Sequence, residues 1–171
     1  MPDEGVPKPI SISENKEGIK KAVIVSGFPG IGKTSLLSRA GEYIILDSDS
    51  TNFSWADESK IKRHPDWPQN YIDHIKENSN KADIILVSSH DVVRNTLTQA
   101  SIEFTLVYPS LEMKEEYIQR YRARGSNEKF IELLTANYEN WIKELMAQKG
   151  CKHVVLQPGQ YLSDVISQIR E

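Results

Sequence analysis

The sequence lacks the features of secreted, membrane-spanning and nucleic-acid-coating proteins. Its 171 residues include one cysteine, Cys151, so an intrachain disulfide is impossible and a cysteine-based zinc site is not expected. No run of about twenty apolar residues occurs, and the N-terminus lacks the basic and apolar regions of a secretion signal. The net charge of -3 gives no protein-wide positive field that could collect nucleic acid. These absences favour a cytoplasmic protein that makes at most local contact with a polynucleotide and none with a membrane.

Length and composition predict a single domain. A chain of 171 residues can bury a core but is too short for two ordinary domains. Three prolines and scattered charges at the start of the chain favour a flexible leader, although Ile10 and Ile12 alternate as they would in an edge strand. We therefore expect a leader over residues 1–18 and a folded domain over residues 19–171.

Short apolar runs alternate with helical patterns along the rest of the chain. This alternation is typical of a parallel sheet covered by helices on both faces. The predicted strands are 22–26, 43–46, 84–88, 104–108 and 153–156. The predicted helices are 33–40, 70–78, 91–100, 111–125, 128–148 and 162–169. Ligands of such sheets bind at the carboxyl ends of the strands, so candidate residues are expected directly after each run.

A complete phosphate-binding loop, or P-loop, follows the first predicted strand. It matches the pattern G-x-x-x-x-G-K-[ST], and a helix-forming stretch that starts with Ser35 comes next, which is the context that the pattern requires. The matching residues are Gly27, Phe28, Pro29, Gly30, Ile31, Gly32, Lys33 and Thr34. The glycines let backbone N–H groups approach a phosphate closely, and the lysine reaches the outer phosphates. The alternative is a glycine-rich turn that binds nothing.

Two carboxylates, Asp47 and Asp49, follow the second predicted strand. If the extended conformation continues, the period of two places them on one side of the chain. Phosphoryl transfer needs a carboxylate in the magnesium shell and often a second one that accepts the proton of the acceptor hydroxyl. Thr34 would offer its hydroxyl to the same ion. The alternative is a solvated turn of Asp and Ser, which is common after strands.

Two arginines, Arg120 and Arg124, lie four residues apart on a predicted helix that Gly125 is expected to end. Guanidinium groups bind phosphate through paired N–H donors and neutralise charge that moves between donor and acceptor. The pattern favours a lid that closes over the transferring group. The alternative is a solvent-exposed helix face paired to Glu115 and Glu116.

The acceptor side is predicted from a segment rich in aromatic and polar residues between the second and third strands. Arg63 could hold a phosphate there, and Trp67 or Tyr71 could stack on a base. Alternatively, the aromatic side chains anchor this loop to the core. After the third strand come two further candidate substrate residues, His90 and Arg94. For His90, the position in a loop favours a hydrogen-bonded loop residue over a catalytic base. Arg94 lies one turn into the next helix.

The string Asn80-Lys81-Ala82-Asp83 matches the N-K-x-D motif with which GTPases recognise guanine. Here the string precedes a predicted strand instead of following one, so its side chains should face the wrong end of the sheet. No D-x-x-G switch segment follows the P-loop either. We therefore interpret the string as a connector between a helix and a strand.

With these residues assembled, the chain resembles the small P-loop kinases of the nucleoside monophosphate kinase and polynucleotide kinase type. It looks most similar to a group commonly encoded by bacteriophages, which would place it in the host cytoplasm. The similarity runs from Lys21 to Ile169. It rests on the P-loop and on residues 46–50, Phe53, Trp55, 65–71, 87–90, 108–109, 117–125 and 140–141.

The resemblance implies a five-stranded parallel sheet of order 2-3-1-4-5, with helices on both faces and a helical lid. It also implies that ATP and Mg²⁺ are used and that the γ-phosphoryl group moves to a nucleotide, a nucleoside or a modified base in DNA. Some relatives of the phage group phosphorylate 5-hydroxymethyluracil in DNA. A kinase of small metabolites and a regulatory ATPase that phosphorylates nothing are the alternatives.

The resemblance also suggests a role for each candidate residue. Lys33 would hold the phosphates, Thr34 and Asp47 would hold magnesium, and Asp49 would be the candidate base. One departure is that the third strand ends in Ser88, without the aspartate of a conventional Walker B motif. The magnesium role therefore falls on Asp47 or Asp49, and the division between them stays open.

Overall fold

Hydrogen bonds between the apolar runs build a five-stranded parallel sheet in this computed structural model of the chain. The strands are β1 Val23–Gly27, β2 Ile45–Asp47, β3 Ile84–Ser88, β4 Thr105–Pro109 and β5 Lys152–Leu156. Their order across the sheet is β2-β3-β1-β4-β5, and each neighbouring pair is parallel. The expected order 2-3-1-4-5 is confirmed.

The structure describes residues 21–37, 43–48, 53, 56, 59 and 62–170. The predicted leader over residues 1–18 lies outside the described residues. So do Asp49, Trp55 and the side chains of Thr34 and Ser35. The predictions made for these residues therefore stay predictions.

Helices connect the strands and cover both faces of the sheet. They are α1 Lys33–Leu37, α2 Gln69–Asn78, α3 Asp91–Gln99, α4 Lys114–Ala123, α5 Glu128–Met146 and α6 Leu162–Arg170. Asn127 caps α5, because its side-chain oxygen accepts a hydrogen bond from the Phe130 N–H at 2.8 Å. Within the described ranges, no helix is long and apolar enough to cross a lipid bilayer.

One predicted helix differs in detail from the observed structure. The single helix expected over residues 111–125 is a 3₁₀ turn, Leu111–Met113, followed by α4. The tighter turn forms because the Met113 N–H donates to the Ser110 carbonyl three residues earlier. Helix α4 ends before Gly125, whose φ of +77° is the left-handed conformation that stops a helix.

The core lies on both faces of the three central strands. Residues 84–87 of β3 are all fully buried, and the central strand β1 and its other neighbour β4 are buried almost throughout. This pattern explains why their sequences are continuous apolar runs instead of alternating ones. The edge strands β2 and β5 are more exposed.

The N-K-x-D string lies at the amino end of the sheet, as expected for a connector. Asp83 directly precedes β3, and its carboxylate accepts a hydrogen bond from the Ile44 N–H at 2.8 Å. The P-loop begins at the opposite end of the strands, because Gly27 is level with Ser88 at the carboxyl end of β3. The string therefore has no access to a ligand at the P-loop.

Two adjacent leucines of α5 give a matched test of this core. Leu134 is fully buried, whereas Leu133 is 52% exposed. We expect Leu134→Ala to lower the free energy of unfolding by about 2 to 5 kcal/mol, because it removes buried methyl groups and leaves a cavity. Leu133→Ala should cost less than about 0.5 kcal/mol. Urea denaturation followed by circular dichroism measures both, and equal losses would contradict this orientation of α5.

Candidate functional site

The P-loop is attached to the core through its apolar side chains. Phe28 is buried, and its ring makes edge contacts with Tyr117 and Tyr138 at centroid distances of 5.9 and 6.0 Å. Ile31 is fully buried, and the Phe28 N–H donates to the Val107 carbonyl of β4 at 3.0 Å. With its side chains held inward, the loop can present its backbone to a ligand.

The carbonyl groups of residues 29–31 each accept a hydrogen bond from outside the loop. In chain order they accept from the Tyr121 hydroxyl, from Arg120 Nη1 at 2.8 Å and from the Leu162 backbone N–H at 2.7 Å. Burial raises the pKa of Tyr121, although the Arg124 guanidinium opposes this effect. The tyrosine hydroxyl therefore stays protonated and remains a donor.

These anchors orient the backbone donors of the loop. The C=O and N–H of a trans peptide point in opposite directions, so the N–H groups of residues 30–32 point away from the anchoring groups. Among the described residues, the N–H groups of Gly30 and Gly32 have no hydrogen-bond acceptor, and that of Ile31 makes only a long 3.4 Å contact with the Phe28 carbonyl. Adjacent unpaired amides of this kind form an anion-binding concavity.

Two glycines are required by both conformation and packing. Gly30 and Gly32 have φ values of +91° and +102°, which residues with a side chain rarely adopt. A Cβ at Gly30 would lie 3.0 Å from the Tyr121 hydroxyl oxygen, and one at Gly32 would lie 2.9 Å from the Tyr161 ring. The P-loop can therefore keep this shape only with glycine at these positions.

Arg120 lies behind the P-loop as a brace. Its side chain is 9% exposed, and the guanidinium lies between the rings of Tyr117 and Tyr161, 4.4 and 3.8 Å from their centroids. Nη1 donates to the Tyr117 hydroxyl in addition to the loop carbonyl, and Nη2 donates to Glu116 at 2.6 Å and to the Gln160 carbonyl at 2.9 Å. The brace therefore joins α4, the P-loop and the loop between β5 and α6.

The observed positions of the two arginines differ from the expected lid. Both terminal nitrogens of Arg120 are already hydrogen bonded to protein, and its Nε is buried without a partner in the described part of the chain. A role over the transferring group would require these bonds to break. Arg124 lies just beyond α4, is exposed, and contacts the Tyr121 ring at 5.1 Å. Pairing with Glu116, part of the alternative interpretation, is observed for Arg120, but in a buried setting.

The predicted phosphate and metal ligands lie at the carboxyl edge of the sheet. The Lys33 side chain folds back towards the start of the loop, because its Cε lies 3.1 Å from where a Cβ on Gly27 would be. Asp47 is exposed at the end of β2 and is level with Leu86 of β3, which in turn is level with Val25 of β1. Two strand spacings, about 10 Å, therefore separate Asp47 from β1.

The predicted stacking role of Tyr71 does not fit its burial. Tyr71 is 1% exposed, its ring contacts Phe53 and Trp67 at centroid distances of 5.2 and 5.7 Å, and its hydroxyl donates to the Ser48 carbonyl at 2.6 Å. Its ring faces are covered, so stacking on a base would require these contacts to open, whereas anchoring of the loop to the core needs no rearrangement. Trp67 is half-buried and Arg63 is exposed on the same segment, and their predicted acceptor roles stay predictions.

The two candidates after β3 differ in their surroundings. His90 is exposed at the start of α3. The Arg94 side chain is buried, where it pairs with Glu144 and donates to Gln148 at 2.6 Å and to the Ser89 carbonyl at 2.8 Å. This arginine joins α3 to α5, so a substrate role would require these bonds to break.

The sequence interpretation missed three functional candidates. Tyr117 and Tyr121 share a helix face with the arginine brace, a spacing that could have indicated a common role. His74 on α2 was also missed, and its Nε2 lies 2.9 Å from the hydroxyl oxygen of Ser48, the residue directly after Asp47. No cluster of three or more metal-ligating side chains is present within the described ranges.

Comparisons with known proteins find similar solved structures but no similar sequence. No protein family model and no curated protein sequence matches the chain. Among solved structures, the chain is similar to a gluconokinase from Sinorhizobium meliloti 1021, with 15% sequence identity and a TM-score of 0.49. The match covers 88% of this chain and 90% of that one. At this level of similarity the likeness carries no argument about function.

Proposed function

We propose that the chain is an ATP- and Mg²⁺-dependent phosphotransferase. The γ-phosphoryl group of ATP would move to a hydroxyl or phosphate of a nucleotide, a nucleoside or a modified base in DNA, such as 5-hydroxymethyluracil. The observation that carries this proposal is the arrangement of the P-loop. Its carbonyl groups are hydrogen bonded to other parts of the protein, and the N–H groups of Gly30 and Gly32 stay unpaired in the described part of the chain. Such a set of donors suits a phosphate chain.

The residues around the loop fit the donor nucleotide and its metal ion. Lys33 and the loop amides would hold the phosphates, and the oxygen ligands of Thr34 and Asp47 are of the type that Mg²⁺ prefers. Magnesium held by these residues would supply positive charge that neutralises the charge developing during transfer. Asp49 would accept the acceptor's proton as the acceptor oxygen bonds to the γ-phosphorus and ADP leaves.

A kinase of small metabolites is the second candidate. Two of the predicted substrate residues are engaged elsewhere, because Arg94 pairs with Glu144 and the Tyr71 ring is covered. A small alcohol acceptor without a base would not need the stacking role predicted for Tyr71. The carboxylates after β2 would serve such an acceptor equally well.

Transfer of label from ATP to a panel of acceptors separates these candidates. The panel contains nucleosides, nucleoside monophosphates, DNA with 5-hydroxymethyluracil, and sugar acids. Label on a nucleoside, a nucleotide or DNA supports the first candidate, and label on a sugar acid supports the second. Hydrolysis of ATP with no labelled acceptor would instead favour a regulatory ATPase.

The substitution Lys33→Ala tests the phosphate-binding role of the loop. We expect transfer or hydrolysis to fall by roughly 10²-fold or more, because a charge that stabilises the transferring group is lost. The fold should persist, as judged by circular dichroism. Lys129→Ala, which changes an exposed lysine of α5, is the matched control. Full turnover by Lys33→Ala would remove the proposed mechanism.

The brace predicts a loss of nucleotide affinity when its geometry is changed. Arg120→Lys keeps the charge but cannot reproduce the paired N–H donors, so we expect ADP to bind at least roughly tenfold more weakly. Tyr121→Phe removes one anchor and should weaken binding by about three- to tenfold. Isothermal titration calorimetry measures both.

Arg122→Lys is the control for the brace, because Arg122 is exposed on another face of α4. It should bind ADP as the unchanged protein does. A lid arginine would give a different result from a brace. If Arg120→Lys slowed transfer while ADP affinity stayed the same, the arginine would act on the transferring group and the brace role would be wrong.

A further inference from the structure

Ser48, which lies between the two predicted catalytic carboxylates, is held by three hydrogen bonds. Its N–H donates to the Leu86 carbonyl at 2.9 Å, and its carbonyl accepts from the Tyr71 hydroxyl at 2.6 Å. Its side-chain oxygen lies 2.9 Å from His74 Nε2, and the residue is 4% exposed. The chain directly after β2 is therefore anchored through Ser48.

The neighbours of His74 determine its tautomer. The Asn78 side chain donates from Nδ2 to the His74 carbonyl at 2.8 Å, and a carbonyl can only accept, so this atom is the amide nitrogen. The same Nδ2 lies 3.3 Å from Nδ1 of the ring. Nδ1 is thus the acceptor and the ring hydrogen lies on Nε2, from which His74 donates to Ser48.

The surroundings of the ring favour the neutral form. Burial lowers the pKa of His74, and the opposing effect of Glu77 is smaller. The ring packs against Phe53 at 4.6 Å and is stacked with Tyr71 at 6.3 Å between centroids. A neutral, packed imidazole provides a donor of fixed position for the Ser48 hydroxyl.

We propose that His74 is a positioning residue for the phosphoryl transfer proposed above, acting through Ser48 on Asp47. Side chains alternate along an extended chain, so holding Ser48 inward leaves Asp47 on the outer side, where it is exposed. This inference rests on the proposed function, and it adds a hydrogen-bond chain from α2 that fixes the residue next to the proposed magnesium ligand.

Binding of the donor and formation of the transition state depend on different parts of this site. ADP without magnesium needs only the P-loop. ADP with Mg²⁺ and aluminium fluoride, which mimics the transferring phosphoryl group, also needs Asp47, the proposed magnesium ligand. Misplacing a catalytic group by about 1 Å can cost up to roughly 10²-fold. Changes at His74 should therefore weaken the mimic complex and spare ADP alone.

The test compares His74→Leu, which removes the donor, with His74→Gln, which keeps an N–H donor on a side chain of similar reach. Calorimetry should show the aluminium fluoride complex of His74→Leu weakened by roughly tenfold or more. His74→Gln should stay within about threefold, and ADP alone should be unchanged in both. Ser48→Ala should match His74→Leu, and the double variant should be no worse than either, because the two residues act in one chain.

Several outcomes would overturn the inference. Losses that multiply in the double variant would mean that His74 does not act through Ser48. An equal loss of ADP alone would show a general structural effect. If the unchanged protein bound no ADP, the proposed function would fail together with this inference, whereas intact ADP binding with an unaffected mimic complex in His74→Leu would refute only the role of His74.

A measurement on the unchanged protein covers the case in which a variant does not fold. Long-range ¹H–¹⁵N spectra of ¹⁵N-histidine-labelled protein report the tautomer of each ring, and His74→Gln assigns the signal. We expect the neutral form with hydrogen on Nε2 at pH 7. Hydrogen on Nδ1 alone would remove the donor to Ser48 and overturn the proposal.

Discussion

The candidate site depends on three hydrogen bonds that hold the carbonyl groups of residues 29–31 to protein donors outside the P-loop. A loop rich in glycine has many accessible conformations, and fixing it costs conformational entropy. Here the Tyr121 hydroxyl, the Arg120 guanidinium and the Leu162 amide hold it in one arrangement before any ligand arrives. Preorganisation of this kind lowers the cost of binding. Under the proposed function, affinity for a phosphate would therefore depend on groups that do not touch it.

Two buried arginines use their positive charge inside the fold. Arg120 and Arg94 are each paired with a glutamate, Glu116 and Glu144, and a buried charge without such a partner would be strongly destabilising. Both arginines are used to hold elements together. The charged side chain at the described carboxyl end of β2 is instead a carboxylate, that of Asp47, beside the anchored Ser48.

The sequence predicted the features that depend on neighbouring residues. The P-loop and the parallel strands follow from local patterns, and the strand order, implied by family resemblance, was confirmed. The distant partners of Arg120, Arg94 and Tyr71 could not be predicted, because these residues lie far away in the chain. A four-residue spacing places two arginines on one face of a helix. It does not say whether that face packs inward, and for Arg120 it does.

The anchor supplied by Leu162 has a consequence for synthesis. Ribosomes release the chain from its N-terminus, and domains fold as their segments emerge. The phosphate loop emerges before the amide that fixes the Ile31 carbonyl, because this amide belongs to α6. A nascent polypeptide therefore cannot fix this carbonyl until α6 has been translated. Under the proposed function, full nucleotide binding would require α6 to be translated and docked.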